Sequence, residues 1–304
     1  MKPIERFLRE TDRVPLMPMP TPLHPMHYQP SGKDVSLLIK RDDMTGVGPG
    51  GNKIRSLEFL LGEARSKGAS KILAAGPEQS NLCALTAAAC AKAGLDCELI
   101  INAAEPARKE GNLLLEELAA AYQSAGEQVY VVRNGATTGR GALGYTAAVV
   151  EMKRQCEDLG IGRMTIFAPG GNGGVAAGLI YGNQLMGQPF RIVIVSVEDD
   201  RETLTAHIRS TISEAEEITG LPMDVPVEQA AEITDAYRGG GWGENTEESQ
   251  QAVLSFARSE GIFIENVYTS KVLVGMMDWI EQEKVSGPVC YLHTGGLGSL
   301  FAQY

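Results

Sequence analysis

The sequence is poor in basic residues relative to acidic ones. It has 27 lysines and arginines against 38 aspartates and glutamates, for a formal net charge of -11, and it contains no long block of like charge. Nucleic acids and anionic membranes bind surfaces on which lysine and arginine are clustered. The composition therefore argues against both as partners and favours a small molecule.

Cysteine is also scarce, and its spacing is not typical of a disulfide-bonded or metal-binding protein. The number of cysteines is odd, and no pair is spaced as CxxC. His24, His27 and His207 also lack metal-ligand spacing with cysteines or acidic residues, so no metal site is predicted. The cysteines, most of them in apolar runs, are Cys83, Cys90, Cys97, Cys156 and Cys290.

Long apolar segments are missing as well. No run approaches the roughly 20 apolar residues that span a bilayer, and the N-terminal segment MKPIERFLRETDRVPLMP has no apolar signal core. Cysteines that are reduced and buried are typical of cytosolic proteins. These absences predict a cytoplasmic protein.

The sequence does contain a regular alternation of strand-like and helical patterns. Apolar runs such as LLIK at 37–40, KILAAG at 71–76 and MTIFAP at 164–169 are each followed by a helical pattern. Such alternation is typical of parallel βαβ units, so we predict an α/β protein with parallel-rich sheets flanked by helices. The irregular segment 220–246 is predicted to be a surface loop over a site. Further predicted strands are 97–102, 129–132, 191–197 and a last one that begins at 289.

One glycine turn holds a lysine directly before a predicted helix. Gly50, Gly51, Asn52 and Lys53 precede an apolar helix that is predicted to begin near Arg55. An amine that loses solvent there has a lowered pKa and becomes nucleophilic, as a Schiff-base lysine must be. Taken alone, the motif is better explained by an ordinary turn that leaves the lysine solvated.

Two further segments lie at strand-to-helix junctions. PGGNGG at 169–174 would place backbone N–H groups of a helix N-terminus where they suit phosphate, and QSN at 79–81 also opens a helix. Each has a simpler explanation: a tight turn without ligand, or helix capping by Ser80 and Asn81. The glycine loop matches neither GxGxxG nor GxxxxGK(S/T), which argues against NAD and ATP. Three such junctions together indicate one anionic, planar cofactor.

In order and spacing, these segments resemble the D-cysteine desulfhydrase and 1-aminocyclopropane-1-carboxylate deaminase family, within the tryptophan-synthase-β-like class of pyridoxal-phosphate enzymes. The resemblance covers nearly the whole chain and implies a homodimer of two-domain subunits with the active site in the interdomain cleft. A small α/β domain at 51–154 would be inserted into a large cofactor-binding domain at 1–50 and 155–304. The matching motifs are TPL, KRDDMTG, GGNKIRSLEFL, GPEQSN, the glycine loop ending in AGL, ENVYTSK and LHTGGLGSLFA.

The resemblance also implies a role for each matching residue. Lys53 would form the Schiff base with pyridoxal 5′-phosphate and, once the substrate displaces it, move the α-proton. Ser80 would bind the substrate carboxylate or assist proton transfer, and Asn81 would bind the cofactor's 3-oxygen beside the substrate. The loop residues that would bind phosphate are Gly170, Gly171, Asn172, Gly173 and Gly174.

Three more residues bear on the type of reaction. Tyr268 would stack near the cofactor ring as a catalytic and substrate-binding residue, and Thr294 would meet the pyridine nitrogen. A hydroxyl partner leaves the ring a weaker electron sink than a carboxylate would, which favours β-elimination. Cyclopropane-opening deaminases of the family have a glutamate directly after the tyrosine, where this chain has Thr269 as the implied substrate contact.

The predicted reaction is therefore α,β-elimination on a small amino acid with a β leaving group, such as D-cysteine, giving pyruvate, ammonia and sulfide. An aminocyclopropane deaminase and a cysteate sulfo-lyase are alternatives. A non-catalytic binding protein with a degenerate cofactor site is an alternative of another class, because the chain departs from the family's usual residues at several positions. These departures are Ser56, Leu82, Asn172, Val175 and Trp242.

Overall fold

The computed structural model of the chain describes residues 1–28, 33, 35–101 and 112–300. The strands are β1 (Leu23–Pro25), β2 (Leu37–Arg41), β3 (Lys71–Gly76), β4 (Asp96–Ile101), β5 (Val129–Val132), β6 (Met164–Gly170), β7 (Phe190–Ser196), β8 (Glu232–Thr234) and β9 (Val289–His293). The last residue of the strand predicted at 97–102 lies outside the described residues.

Helices follow most of these strands. They are α1 (Pro3–Glu10), α2 (Lys53–Ser66), α3 (Asn81–Ala93), α4 (Asn112–Ser124), α5 (Gly139–Leu159), α6 (Gly174–Leu185), α7 (Arg201–Thr219), α8 (Val227–Ala230), α9 (Glu247–Glu260), α10 (Thr269–Glu281) and α11 (Leu297–Leu300). Within the described part of the chain, no helix is both long and apolar enough to cross a membrane.

The strands form two sheets. The larger has the order β1-β2-β9-β6-β7-β8 and the smaller the order β4-β3-β5. Every pair of neighbouring strands is parallel except β1 with β2. The predicted α/β fold with parallel-rich sheets is confirmed.

The central strands are continuous apolar runs because they are buried. All seven residues of β6 are buried, and so are the last five of β3. Strands of a parallel sheet are covered by helices on both faces, so neither face needs polar residues. In the large sheet, α1, α5, α6 and α7 cover one face and α9 and α10 cover the other.

Helix α5 connects the two sheets rather than belonging to the small one alone. It packs against α6 and α7 beside the large sheet. It also packs against α2, whose buried residues share a hydrophobic core with the small sheet. The predicted domain boundary at 154 falls inside this helix. The division into 51–154 and the remainder therefore stays a prediction.

The turn before α2 needs glycine at position 50. Gly50 has φ +78°, and an ideal β-carbon built there would lie 1.8 Å from the carbonyl oxygen of Asp43. Gly50→Ala should lower the free energy of unfolding by about 2–5 kcal/mol, which combines the cost of a left-handed backbone with that of overpacking. Chemical denaturation measures this loss.

Gly68→Ala is the matched control for Gly50→Ala. Gly68 has a similar φ of +72°, but no neighbouring atom lies within 4 Å of its ideal β-carbon. This variant should lose only about 1–2 kcal/mol, because it carries the backbone cost without the collision. Equal losses in the two variants would contradict the steric explanation.

Candidate active site

A large cavity lies where parallel strands of both sheets end. Its volume is about 720 Å³, within the usual range for a small-molecule site. The segments after β3 and β5 line it from the small sheet, and those after β6, β7 and β9 line it from the large sheet. Ligands of open α/β sheets bind at this end of the strands.

The structure brings most of the predicted site residues together in this cavity. Gly170 and Thr269 are the two that do not line it. The predicted residues that do are Lys53, Ser80, Asn81, Gly171, Asn172, Gly173, Gly174, Tyr268 and Thr294. Their individual roles stay predictions.

Lys53 is the first residue of α2, so the helix begins two residues earlier than predicted. The residue is partly buried. Its Nζ donates a hydrogen bond to the carbonyl oxygen of Gly135 at 2.7 Å. Burial lowers the pKa of Lys53 to about 8, although the Glu198 carboxylate acts in the opposite direction. A substantial fraction of the amine is therefore neutral at weakly alkaline pH and can act as nucleophile or base.

The backbone before Lys53 is attached to the loop after β9. Gly51 pairs with Gly295 in an isolated antiparallel bridge, and the Asn52 N–H donates to the Thr294 carbonyl oxygen at 2.9 Å. An ideal β-carbon on Gly295 would lie 2.6 Å from the Gly51 α-carbon, so the two glycines allow this close approach. The turn thereby fixes the lysine relative to Thr294.

The lowered pKa of Lys53 predicts a reactive amine in protein freed of cofactor. An amine-specific acylating reagent should label Lys53 with a midpoint near pH 8, read by mass spectrometry of its peptide. In denatured protein the midpoint should rise to about 10.4, the value of an unperturbed lysine. A midpoint that is the same in folded and denatured protein would contradict the desolvated environment.

The glycine loop after β6 forms the N-terminus of α6. Gly173 is the N-cap residue of α6 and has φ +88°. Because glycine has no side chain, the N-cap residue accepts no hydrogen bond from the first N–H groups of the helix through a side chain. Asn172 lies beside Gly135, whose ideal β-carbon would be 2.6 Å from the Asn172 Nδ2. A helix N-terminus at a cavity wall is an anion site.

Gly170 has a different position from the rest of the predicted phosphate loop. It is the last residue of β6, and an ideal β-carbon there would lie 2.5 Å from Leu204 Cδ2 and 2.8 Å from Ile194 Cγ2. The residue therefore packs in the core between sheet and α7. This packing explains the glycine, and its neighbours Pro169 and Gly171 line the cavity.

Ser80 and Asn81 lie at the start of α3. The Ser80 Oγ accepts a hydrogen bond from the Cys83 N–H at 3.2 Å, so the predicted capping is confirmed. Both residues also line the cavity. Capping leaves the hydroxyl proton of Ser80 available to another acceptor.

Tyr268 contacts the predicted loop over the site. The Trp242 Nε1 donates to the Tyr268 Oη at 2.7 Å, and Trp242 and Asn245 line the cavity. The predicted loop at 220–246 is irregular only in part, because α8 and β8 lie within it. Burial raises the pKa of Tyr268 to about 12, against the effect of the Trp242 hydrogen bond. The phenol therefore keeps its proton at neutral pH.

Thr269 is the first residue of α10 and is held by a glutamate that sequence analysis did not single out. Its Oγ1 donates to Glu265 Oε1 at 2.8 Å, and the same carboxylate accepts the N–H groups of Val267, Tyr268 and Thr269 at 2.7–3.1 Å. Thr269 is 1% exposed. Thr269 therefore stabilises the start of α10. It does not line the cavity in which its contact with substrate was predicted.

His293 is a satisfied buried residue. Its Nε2 lies 2.9 Å from the Phe263 carbonyl oxygen, and its Nδ1 accepts from the Gly295 N–H at 3.3 Å. Burial lowers the pKa of His293. His293 therefore stabilises the end of β9 and does not line the cavity.

The donor set of the cavity fits pyridoxal 5′-phosphate. The cavity offers a desolvated amine, a helix N-terminus without a side-chain cap and a threonine. These groups are chemically suited to the aldehyde, phosphate and ring nitrogen of this cofactor. Comparison with known families agrees, since residues 14–295 match the family described as pyridoxal-phosphate dependent enzyme. The chain belongs to this family, and pyridoxal phosphate is its cofactor.

Individual relatives narrow the class further. A protein of Pyrococcus horikoshii, provisionally named 1-aminocyclopropane-1-carboxylate deaminase, is 34% identical over 97% of this chain and 95% of its own length. A Pyrococcus abyssi protein with the same provisional name is 30% identical over 98% of this chain and 96% of its own. The chain is a pyridoxal-phosphate dependent lyase of the aminocyclopropane deaminase and D-cysteine desulfhydrase type.

Solved structures support the same assignment. The crystal structure of an aminocyclopropane-carboxylate deaminase homologue matches with a TM-score of 0.87 at 32% identity, covering 99% of this chain and 97% of the other. Cysteine synthase from Entamoeba histolytica matches with a TM-score of 0.64 at 14% identity, covering 92% and 86%. The second match shows the shared fold alone.

Proposed function

We propose that this enzyme catalyses α,β-elimination on a small amino acid that carries a leaving group on its β-carbon, with D-cysteine or a close analogue as substrate. The observation that carries the proposal is the desolvated Lys53 amine, held by the Gly135 carbonyl in the same cavity as Ser80 and the glycine loop. Loss of the leaving group would give aminoacrylate, which water converts to pyruvate and ammonia.

In this proposal each residue has one task. Pyridoxal phosphate, when bound, supplies an electron sink for the pair released at the α-carbon. The N–H groups at the start of α6 would bind its phosphate, and the Thr294 hydroxyl would accompany its ring nitrogen. Lys53 would hold the cofactor covalently and then take the α-proton at Nζ, because its pKa of about 8 leaves part of the amine neutral.

The substrate would be oriented from the side of the small sheet. The Ser80 hydroxyl, at the start of α3, would bind its carboxylate, and Asn81 would bind the cofactor's 3-oxygen beside it. The Tyr268 phenol stays protonated and could donate to the departing group. Trp242 and the loop around it would exclude water from this end of the cavity.

Aminocyclopropane deamination is the second candidate, since two relatives carry that provisional name. Residue 269 disfavours it. Deaminases of this family are expected to have a glutamate after the tyrosine, whereas Thr269 here is buried, bonded to Glu265 and absent from the cavity wall.

Product analysis separates the candidates. Purified protein with added pyridoxal phosphate is assayed with both enantiomers of cysteine and β-chloroalanine, and with 1-aminocyclopropane-1-carboxylate. Elimination yields pyruvate, whereas opening of the cyclopropane yields 2-oxobutanoate. Pyruvate release from a β-substituted amino acid is the expected result. Release of 2-oxobutanoate alone would favour the deaminase, and no product at all would favour the binding-protein alternative.

A further inference from the structure

One carboxylate in the cavity has no assigned task. Glu198 follows β7 and lines the cavity, and its Oε2 lies 3.7 Å from an ideal β-carbon built on Gly171. The same ideal β-carbon would lie 3.1 Å from the Tyr268 ring, so Glu198 and Tyr268 flank the first residue of the glycine loop. Glu198 also interacts electrostatically with Lys53. It is therefore close to the groups proposed to act on the substrate.

The Glu198 carboxylate is half-buried and differs from Glu265, which also lines the cavity. Among the described residues, the Glu198 side chain makes no hydrogen bond; only its backbone carbonyl oxygen accepts, from Arg238 Nη1 at 3.4 Å. Glu265, by comparison, accepts several backbone N–H groups. Burial, and secondarily Asp199, raise the pKa of Glu198, although His207 and Lys53 act in the opposite direction. A cation bound directly to the carboxylate would stabilise its charge.

The charge of the cavity wall points in the same direction. Of the residues that the structure describes along this wall, Lys53 carries the one cationic side chain, whereas Glu78, Glu198 and Glu265 are acidic. Once the substrate has displaced it from the cofactor, Lys53 must be a neutral amine to take the α-proton, so it supplies no positive charge at that stage. A substrate whose side chain is anionic, such as a sulfonate, would then meet carboxylates without a balancing cation.

We infer that Glu198 determines specificity by binding an ammonium group on the side chain of the substrate. The substrate class is then a small diamino acid with its second amine on the β-carbon, as in 2,3-diaminopropionate. This inference rests on the proposed elimination chemistry and deepens it, because it specifies the leaving group. Glu198 holds that group at the end of β7, beside the lysine that takes the α-proton.

The chemistry balances without a further reactant. The α-C–H bond breaks and its proton goes to the Lys53 amine, while the Cβ–N bond breaks and its electron pair leaves with the nitrogen as ammonia. The resulting aminoacrylate takes up one water and gives pyruvate and a second ammonia. Each substrate amine enters as an ammonium group with one extra proton, so both nitrogens are released as ammonium ions beside pyruvate.

The test compares side-chain charge at the same site. Steady-state rates of the holoenzyme are measured with both enantiomers of 2,3-diaminopropionate, β-chloroalanine and cysteate, whose β-substituents are cationic, neutral and anionic before they leave. The wild type should prefer the diamino acid, and Glu198→Gln should lower the ratio of kcat/KM for diaminopropionate over β-chloroalanine at least about tenfold, the loss typical of a charged hydrogen bond. Glu202→Gln, on the exposed first turn of α7, should keep the wild-type ratio.

A binding measurement makes the result independent of turnover. α-Methyl-2,3-diaminopropionate has no α-proton, so it cannot be eliminated, and its affinity for holoenzyme is measured by calorimetry. Glu198→Gln should weaken its binding at least about tenfold. Equal affinity in the two proteins, or a wild-type preference for cysteate, would overturn the inference. Turnover of β-chloroalanine without any charge preference would overturn it while leaving the elimination proposal intact. Absence of pyruvate from every probe would instead count against the proposed function.

Discussion

Lys53→Ala should lower kcat/KM for α,β-elimination by ~10²–10⁴-fold through loss of the base alone. The amine is the one lysine side chain that lines the described cavity wall, and burial lowers its pKa to about 8. Alanine removes both the nucleophile and the proton acceptor, and no neighbouring lysine on that wall can replace it. Initial rates of pyruvate formation, with cofactor in excess, measure the loss.

Two controls identify the cause of that loss. Lys67→Ala removes an exposed lysine after the last turn of α2, where it pairs with Glu63, and should keep the wild-type rate. A small primary amine added to Lys53→Ala should restore part of the activity, because a free amine can accept the α-proton in the vacated space. Wild-type rates in Lys53→Ala would refute its role as the base.

Arg55→Ala should lower the free energy of unfolding by about 3–5 kcal/mol, the cost of removing one partner from a buried ion pair. Arg55 is fully buried and donates from Nε to Asp42 at 2.7 Å and from Nη1 to Glu151 at 3.0 Å. The Lys40 ammonium also bonds Glu151. Without the guanidinium, two buried carboxylates would share this one amine. Chemical denaturation at neutral pH measures the effect.

Arg154→Ala is the matched control for Arg55→Ala. Arg154 makes an ion pair of similar length with Glu5, at 3.0 Å, but its side chain is 67% exposed. An exposed pair contributes only about 0–1 kcal/mol, so this variant should unfold almost like the wild type. If Arg55→Ala were no less stable than this control, the buried network would have no net stabilising effect.

The same network gives the stability a defined dependence on pH. Burial alone would raise the pKa of Asp42, but Arg55 and its neighbours hold it at about 2. The unfolded value is about 3.9. Because the folded pKa is the lower one, the stabilising contribution of Asp42 is present above about pH 4 and is lost as the pH falls towards 2.

Much of the fold was predictable because its signals are local. Strands 71–76 and 129–132 have the predicted bounds, since apolar runs between turns identify buried parallel strands. The helix after Gly51 begins earlier than predicted because Lys53 itself opens it. Three strand-to-helix junctions predicted one common site, and the structure places all three on one cavity.

What sequence analysis missed depends on distant contacts. The Gly135 carbonyl that accepts from Lys53 lies 82 residues along the chain and carries no side-chain signal. The Glu265 carboxylate binds N–H groups at the start of α10 and the Thr269 hydroxyl. These bonds also explain why Thr269 does not line the cavity. Glu198 could have been identified by the same reasoning as Ser80, since both lie in the segment that follows the carboxyl end of a strand.

The measurement that tests the central claim most directly is reductive trapping of the cofactor. The protein is incubated with pyridoxal phosphate, reduced with borohydride and digested, and the modified peptide is identified by mass spectrometry. The account predicts a stable adduct on Lys53 that is missing in Lys53→Ala. Lys271 serves as an internal control, because it is buried but its Nζ donates to the carbonyl oxygens of Arg238 at 2.7 Å and Gly241 at 2.9 Å. An adduct on Lys271 or any other lysine, with Lys53 unmodified, would contradict the account.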